Sequence, residues 1–89
     1  MACFIVSYDL RAPRRDYEAL YNRLADWKAV KVLESVWLIN WNSDAPTVKA
    51  DLAKHIDTND GLFVARLTGD ADWQQLLTAD QLARAVVSS

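Results

Sequence analysis

The 89-residue sequence contains few of the residues on which many metal and catalytic sites depend. It has one cysteine, Cys3, one histidine, His55, and two glycines, Gly61 and Gly69. A single cysteine excludes an internal disulfide bond and a cysteine zinc site, and two isolated glycines cannot form a glycine-rich phosphate loop. We interpret Cys3 as a small buried residue of a strand and His55 as a residue near a helix end.

The sequence also lacks long hydrophobic runs and an excess of positive charge. Its apolar runs are only a few residues long, and its first residues do not combine a basic start with a long apolar stretch. We therefore expect a cytoplasmic protein with no signal peptide and no membrane span. Ten Lys and Arg residues against 12 Asp and Glu residues give a formal net charge of −2. Any nucleic-acid site must therefore depend on a local group of basic residues.

The rest of the composition is typical of one small folded domain. Hydrophobic residues make up 52% and charged residues 25%, close to the average of globular proteins, which argues against intrinsic disorder. A packed core uses most of a chain of this length, so we expect no second domain.

Residue patterns in the first half predict an alternation of strands and helices. The apolar segment 2–8 is rich in strand-forming residues and predicts a central strand that is buried on both faces. A helical stripe of apolar residues follows Asp16, a candidate N-cap. The apolar segment 29–41 is divided by Glu34 and Ser35, which favours a hairpin of two short strands over one long bent strand.

The second half of the sequence repeats this alternation. Ser43 or Asp44, followed by a proline, is typical of a helix start. An apolar run at 62–67 predicts another strand. Thr78 and Gln81 have the spacing of a capping box and predict a short C-terminal helix.

The order β-α-β-β-α-β predicts an α+β ferredoxin-like fold, a four-stranded antiparallel sheet with two helices on one face and a short C-terminal helical tail. We assign residues 1–70 to the ferredoxin-like domain and 71–89 to a C-terminal helical extension packed on the same domain. Because the strands are apolar on both faces, something else must cover the sheet face without helices. A second copy in a homodimer is the simplest candidate, and the C-terminal tail is the alternative.

Asp9 is the strongest candidate for a functional residue. It directly follows the first predicted strand, at a rim that the ferredoxin-like order shares with Glu34, Ser35 and Asp60. A hard cation such as Mg²⁺ takes oxygen ligands, often one or two carboxylates with water and phosphate oxygens. Two copies of Asp9 at a dimer axis would supply two carboxylates. In the alternative interpretation Asp9 only caps the following loop.

Three arginines, Arg11, Arg14 and Arg15, lie within five positions in the loop after Asp9. The arginine side chain can give a phosphate group two parallel hydrogen bonds, so this cluster predicts contact with the backbone of RNA or DNA. The alternative is an exposed loop in which the arginines neutralise Asp9 and Asp16.

The sequence resembles the CRISPR-associated protein two superfamily, and also the virulence-associated protein D group, over about residues 2–70. The resemblance lies in an apolar first strand that ends in an aromatic residue and an aspartate, in a later Ser-Val-aromatic segment, and in an acidic turn before the last strand. These are residues 4–10 (FIVSYDL), 34–38 (ESVWL) and 56–64 (IDTNDGLFV), with Gly69 and Asp70 downstream.

The resemblance implies a homodimer packed through its sheets, in which Asp9 matches the metal-binding aspartate and lies opposite its twofold mate. It implies an Mg²⁺-dependent endonuclease that hydrolyses RNA or DNA phosphodiesters without a nucleophilic side chain. In family members that act in CRISPR adaptation, the dimer instead holds DNA for a partner integrase. A second hypothesis is a non-catalytic dimeric module for protein assembly, which the net charge of −2 favours.

Overall fold

The computed structural model describes residues 2–11 and 17–88. Within these residues the chain forms four strands and three helices. In chain order they are β1 (Ala2–Asp9), α1 (Glu18–Asp26), β2 (Val30–Leu33), β3 (Val36–Trp41), α2 (Ala45–Ala53), β4 (Gly61–Arg66) and α3 (Asp80–Val87). The predicted α+β class and order of elements are confirmed, and the hairpin of β2 and β3 shows that the alternative of one long bent strand is wrong.

The four strands form one antiparallel sheet in the order β2-β3-β1-β4. In the middle of β1, Ile5 lies opposite Leu38 of β3 on one side and Ala65 of β4 on the other. Each β-α-β unit therefore has a strand of the other unit between its own two strands, which is the split arrangement of ferredoxin-like folds. Because β1 lies inside the sheet, it has neighbours on both sides and its sequence is apolar on both faces.

Helices α1 and α2 cover one face of the sheet. Leu20 and Leu24 are four residues apart on α1, and Val48 and Leu52 are four apart on α2, so each pair points from one side of its helix. Each fully buried leucine contributes about 2 kcal/mol to folding. The main core consists of buried side chains from both helices, β1 and β3, namely Phe4, Val6, Tyr8, Leu20, Leu24, Ile39, Val48 and Leu52.

The C-terminal segment covers part of the opposite sheet face. Cys3, Val32 and Leu38, one from each of three strands, form a second cluster with Ala83 of α3, which is fully buried. Helix α3 lies against β2 and β3. The tail, which was the alternative to a second copy, thus covers the β2–β3 side of this face. Phe63 of β4, on the other side of the same face, is 65% exposed.

Two sets of contacts hold the C-terminal segment in place. The Leu77 amide donates a hydrogen bond to the Val32 carbonyl of edge strand β2 at 2.9 Å. The Trp73 indole N–H donates to the Asp80 carboxylate, which also accepts from Arg84 Nε at 2.8 Å. The Arg84 guanidinium lies 4.7 Å from the centroid of the Trp73 ring. We call these three side chains the Trp73 clamp, and it fixes the segment before α3 to the helix itself.

Two of the three predicted helix starts lie among the described residues, and they have different outcomes. Asp44 caps α2, because its carboxylate accepts a hydrogen bond from the Thr47 amide at 2.9 Å. The capping box predicted from Thr78 and Gln81 is wrong, because the N-cap of α3 is Ala79, which has no side-chain acceptor. None of the helices in the described part of the chain is long and apolar enough to cross a membrane.

Candidate functional site

Asp9 is the last residue of β1. It lies opposite Gly61, the first residue of β4, and its side chain is 71% exposed. Arg11 Nε donates a hydrogen bond to the Asp9 carboxylate at 3.1 Å, and this arginine side chain is also more than half exposed. The central strand therefore fixes the backbone of Asp9, while the carboxylate and the guanidinium face solvent.

The turn before β4 holds Arg11 beside Asp9. The Arg11 amide donates to Asp60 Oδ1 at 2.6 Å, and Arg11 Nη1 donates to the Asn59 carbonyl at 3.1 Å. A Cβ atom on Gly61 would lie 3.0 Å from Arg11 Nη2, so the glycine leaves the space that the guanidinium occupies. Arg11 and this turn form one connected unit at the rim of the sheet.

The Asp60 carboxylate organises the turn itself. Its Oδ1 also accepts a hydrogen bond from the Tyr17 hydroxyl at 2.9 Å, and its Oδ2 accepts from the Asp57 amide at 2.8 Å. These bonds tie the turn to the start of α1. Asp60 thus has a structural role at the rim, whereas the Asp9 carboxylate is directed to solvent.

The turn between β2 and β3 reaches the same rim. The Tyr8 amide donates to the Ser35 carbonyl at 3.2 Å, which places Glu34 and Ser35 beside Asp9. The expected meeting of the hairpin, Asp9 and the start of the last strand is therefore confirmed.

Two shallow clefts flank Asp9. The cleft toward the hairpin has a volume of about 350 Å³, and its wall includes Tyr21, Lys31 and Glu34. The cleft toward β4 has a volume of about 230 Å³ and is lined by Ser7, Tyr8, Asp9, Gly61, Leu62 and Phe63. The two clefts share Asp9, so its carboxylate is accessible from both.

Phe63 is a residue of this site that the sequence patterns did not single out. It is the most exposed large hydrophobic residue among the described residues. Its neighbours Leu62 and Val64 pack against the main core, so the alternation of side chains along a strand places Phe63 on the opposite face. That alternation is visible in the sequence, but it identifies an exposed residue only when one knows which part of that face is covered.

Arg14 and Arg15, together with the candidate N-cap Asp16, lie outside the described residues. Of the three arginines predicted to contact phosphate, the described part of the chain contains Arg11. Its guanidinium is bonded to the carboxylate of Asp9 and the carbonyl of Asn59. This contact is the one expected if the arginine neutralises Asp9.

The donor atoms at Asp9 fit a hard cation in type. Mg²⁺ prefers carboxylate oxygen and keeps several water ligands, and the Asp9 carboxylate is open to solvent. The described residues contain no group of three or more His, Cys, Asp or Glu side chains placed to hold a metal ion. A cation at Asp9 therefore needs further oxygen ligands from water, from a phosphate or from a second copy of the chain.

Two titratable groups with raised pKa values lie in the cores. Cys3 is a buried residue of β1, as predicted, and burial raises the pKa of its thiol. Burial also raises the pKa of the Tyr8 hydroxyl, which accepts a hydrogen bond from the Trp37 indole N–H at 3.0 Å. Both groups are neutral near pH 7 and contribute to packing.

Comparisons with family models, with curated proteins and with solved structures found no match to this chain. A function must therefore be argued from the residues at the rim and from their geometry.

Proposed function

We propose that this protein is a homodimeric, Mg²⁺-dependent endonuclease of the cytoplasm that hydrolyses RNA or DNA phosphodiester bonds. Asp9 of each copy is the proposed metal ligand and catalytic residue. The observation that supports the proposal most is the position of Asp9, an exposed carboxylate at the end of the central strand and between two clefts. The segment that contains Asp9 also resembles the CRISPR-associated protein two superfamily, in which an aspartate at this point binds metal.

When bound, Mg²⁺ supplies a Lewis acid that polarises a phosphoryl oxygen and lowers the pKa of a water molecule. The residues of the chain supply position and charge. Strand β1 holds Asp9, and the turn at Asn59 and Asp60 keeps Arg11 at the same rim. With a cation beside the Asp9 carboxylate, Arg11 Nε would be able to donate to a phosphate oxygen, while Arg11 Nη1 keeps its hydrogen bond to the Asn59 carbonyl.

The proposal includes a second copy because each chain has one carboxylate at the end of β1, that of Asp9. Two copies would bring two carboxylates to the metal ion. The C-terminal segment occupies the β2–β3 side of its sheet face, which supports a contact between copies on the β1–β4 side. Ser7 and Phe63 lie opposite one another there, next to Asp9. Contact through Phe63 buries an aromatic ring and brings the two Asp9 carboxylates toward the twofold axis.

The proposal is tested by incubating the protein with single-stranded RNA and double-stranded DNA in Mg²⁺ and in EDTA. We expect cleavage in Mg²⁺ that falls to background in Asp9→Asn. The control is Asp26→Asn, which removes an exposed carboxylate from α1 and should leave cleavage unchanged. Cleavage that persists in EDTA, or that Asp9→Asn leaves at the wild-type rate, contradicts the proposal.

The second candidate is a non-catalytic dimeric module for protein assembly. The ion pair between Asp9 and Arg11 favours it, because a carboxylate whose charge Arg11 already neutralises needs no metal ion beside it. This function predicts no cleavage with Mg²⁺, together with a dimer in sedimentation that Phe63→Ser dissociates. Leu82→Ser is the control, since Leu82 is a similarly exposed apolar residue on α3.

A further inference from the structure

A separate cavity lies under the C-terminal segment, away from Asp9. Its volume of about 380 Å³ is within the range of about 300–1,000 Å³ in which protein pockets hold small molecules. Most of its wall is apolar and comes from the sheet and from the C-terminal segment. The apolar residues that line it include Ile5, Val36, Leu38, Leu67, Trp73 and Leu76.

The charged residues in the wall of this cavity are both acidic. They are Asp70 and Asp72, which are exposed at the surface. The Asp72 carboxylate accepts a hydrogen bond from the Trp73 amide at 2.9 Å. The ion pairs found among the described residues do not include Asp70 or Asp72. An apolar cavity with two carboxylates that no described cation neutralises is complementary to a ligand with an apolar body and a positive charge.

The wall formed by the C-terminal segment is fixed in position. The Trp73 clamp holds one part of it, and the hydrogen bond from Leu77 to β2 holds the other. Between them, Gln75 has a φ of 56°, a left-handed conformation that is uncommon for residues other than glycine. Such conformations persist where the surroundings fix the backbone.

We infer that this cavity binds a small organic amine. The apolar body of the ligand packs between Leu38 of the sheet and Leu76 of the C-terminal segment, and its ammonium group lies beside Asp70 and Asp72. The inference is independent of the proposed nuclease, because no residue in this wall lines either cleft at Asp9.

Isothermal titration of the full chain at pH 7 tests the inference with two probes of similar shape and opposite charge. The probes are 2-(1-naphthyl)ethylammonium and 1-naphthylacetate. We expect the amine to bind at least about tenfold more tightly than the acid, as a hydrogen-bonded charge pair would give. The double variant Asp70→Asn, Asp72→Asn should weaken amine binding by about tenfold. Asn at position 72 keeps an oxygen for the Trp73 amide, and Asp26→Asn is the control for an exposed carboxylate elsewhere.

A second variant, Ala71→Phe, tests whether the amine occupies the cavity itself. Ala71 lines the cavity and lies outside the helices and strands, so a larger side chain there fills space without entering the main core. We expect this variant to lose amine binding. Binding of the amine at wild-type affinity in Ala71→Phe or in the double Asn variant overturns the inference. Equal affinity for the two probes, or no binding of the amine, also overturns it.

Discussion

Arg23 of α1 and Asp51 of α2 form a two-point ion pair. Arg23 Nε and Nη2 donate to the two oxygens of the Asp51 carboxylate at 2.8 and 3.0 Å. The same guanidinium lies 4.4 Å from the centroid of the Trp27 ring, which is in turn 4.9 Å from that of Trp41. This pair therefore links the two helices that cover the main core and connects them to the end of β3.

Arg23→Lys should destabilise the fold by about 1 kcal/mol, although it keeps the charge. Lysine cannot form two parallel hydrogen bonds with Asp51, and it stacks less well on Trp27. Urea unfolding at pH 7 measures this loss. An unchanged unfolding midpoint in Arg23→Lys would show that the two-point geometry does not contribute to stability, and Lys49→Arg on the exposed side of α2 serves as the control exchange.

The same pair predicts how stability depends on acid. The hydrogen bonds from Arg23 lower the pKa of the Asp51 carboxyl below its ordinary value. Because the folded pKa lies below the unfolded value of about 3.9, the contribution of Asp51 is fully present above that value. It is lost as the pH falls through the lower, folded pKa. The free energy of unfolding should therefore fall less steeply below about pH 4 in Asp51→Asn than in the wild type, and an identical slope would contradict this assignment.

Ala83 is fully buried in the same cluster as Cys3, so we expect α3 to shield the Cys3 thiol from reagents in solution. Ala83→Glu places a carboxylate in the cluster formed by Cys3, Val32 and Leu38, and the cost of burying that charge should detach α3 from the sheet. The Cys3 thiol should then react with a thiol reagent such as DTNB under conditions in which the wild-type thiol does not. Gln81→Glu, at an exposed position of the same helix, should leave Cys3 protected. A thiol that stays unreactive in Ala83→Glu would indicate that the sheet itself shields it.

Asp9→Asn should leave the stability of the fold nearly unchanged. The ion pair between Asp9 and Arg11 is exposed, and exposed pairs contribute less than about 1 kcal/mol. A loss of activity in this variant would therefore result from the missing carboxylate and not from unfolding. Urea unfolding of the variant checks this, and a loss of several kcal/mol would make Asp9 a structural residue.

Much of the fold follows from local sequence. Strand β1 was predictable because a strand inside a sheet is apolar on both faces. The hairpin was predictable because Glu34 and Ser35 interrupt an otherwise apolar segment. The cap at Asp44 was predictable because its side chain bonds a residue only three positions away. In each case the residues that determine the structure are close together in the chain, or they form a simple pattern of apolar residues along it.

The cover of the second sheet face could not be predicted in the same way. An apolar strand face looks the same in sequence whether a second copy or an amphipathic C-terminal helix lies on it. The start of α3 was also missed, since its position depends on the packing of Ala83 against the sheet and on the Trp73 clamp. The packing of Ala83 joins segments that are distant in the chain.

The site was predictable in part for a similar reason. Asp9 was identified from its place after an apolar strand. The direction of Arg11, by contrast, depends on hydrogen bonds to residues 48 and 49 positions away. The exposure of Phe63 depends on where the C-terminal segment ends its contact with the sheet. Neither property has a local sequence signal.

Counting the metal ions bound per chain tests whether two copies of Asp9 share one metal site. Electron paramagnetic resonance during titration with Mn²⁺, which takes the same oxygen ligands as Mg²⁺, gives the number of bound ions. Sedimentation of the same sample gives the number of chains in the assembly. We expect one bound ion per two chains in the wild type and none in Asp9→Asn. A wild type that binds no ion, or an Asp9→Asn variant that binds Mn²⁺ as the wild type does, would contradict it.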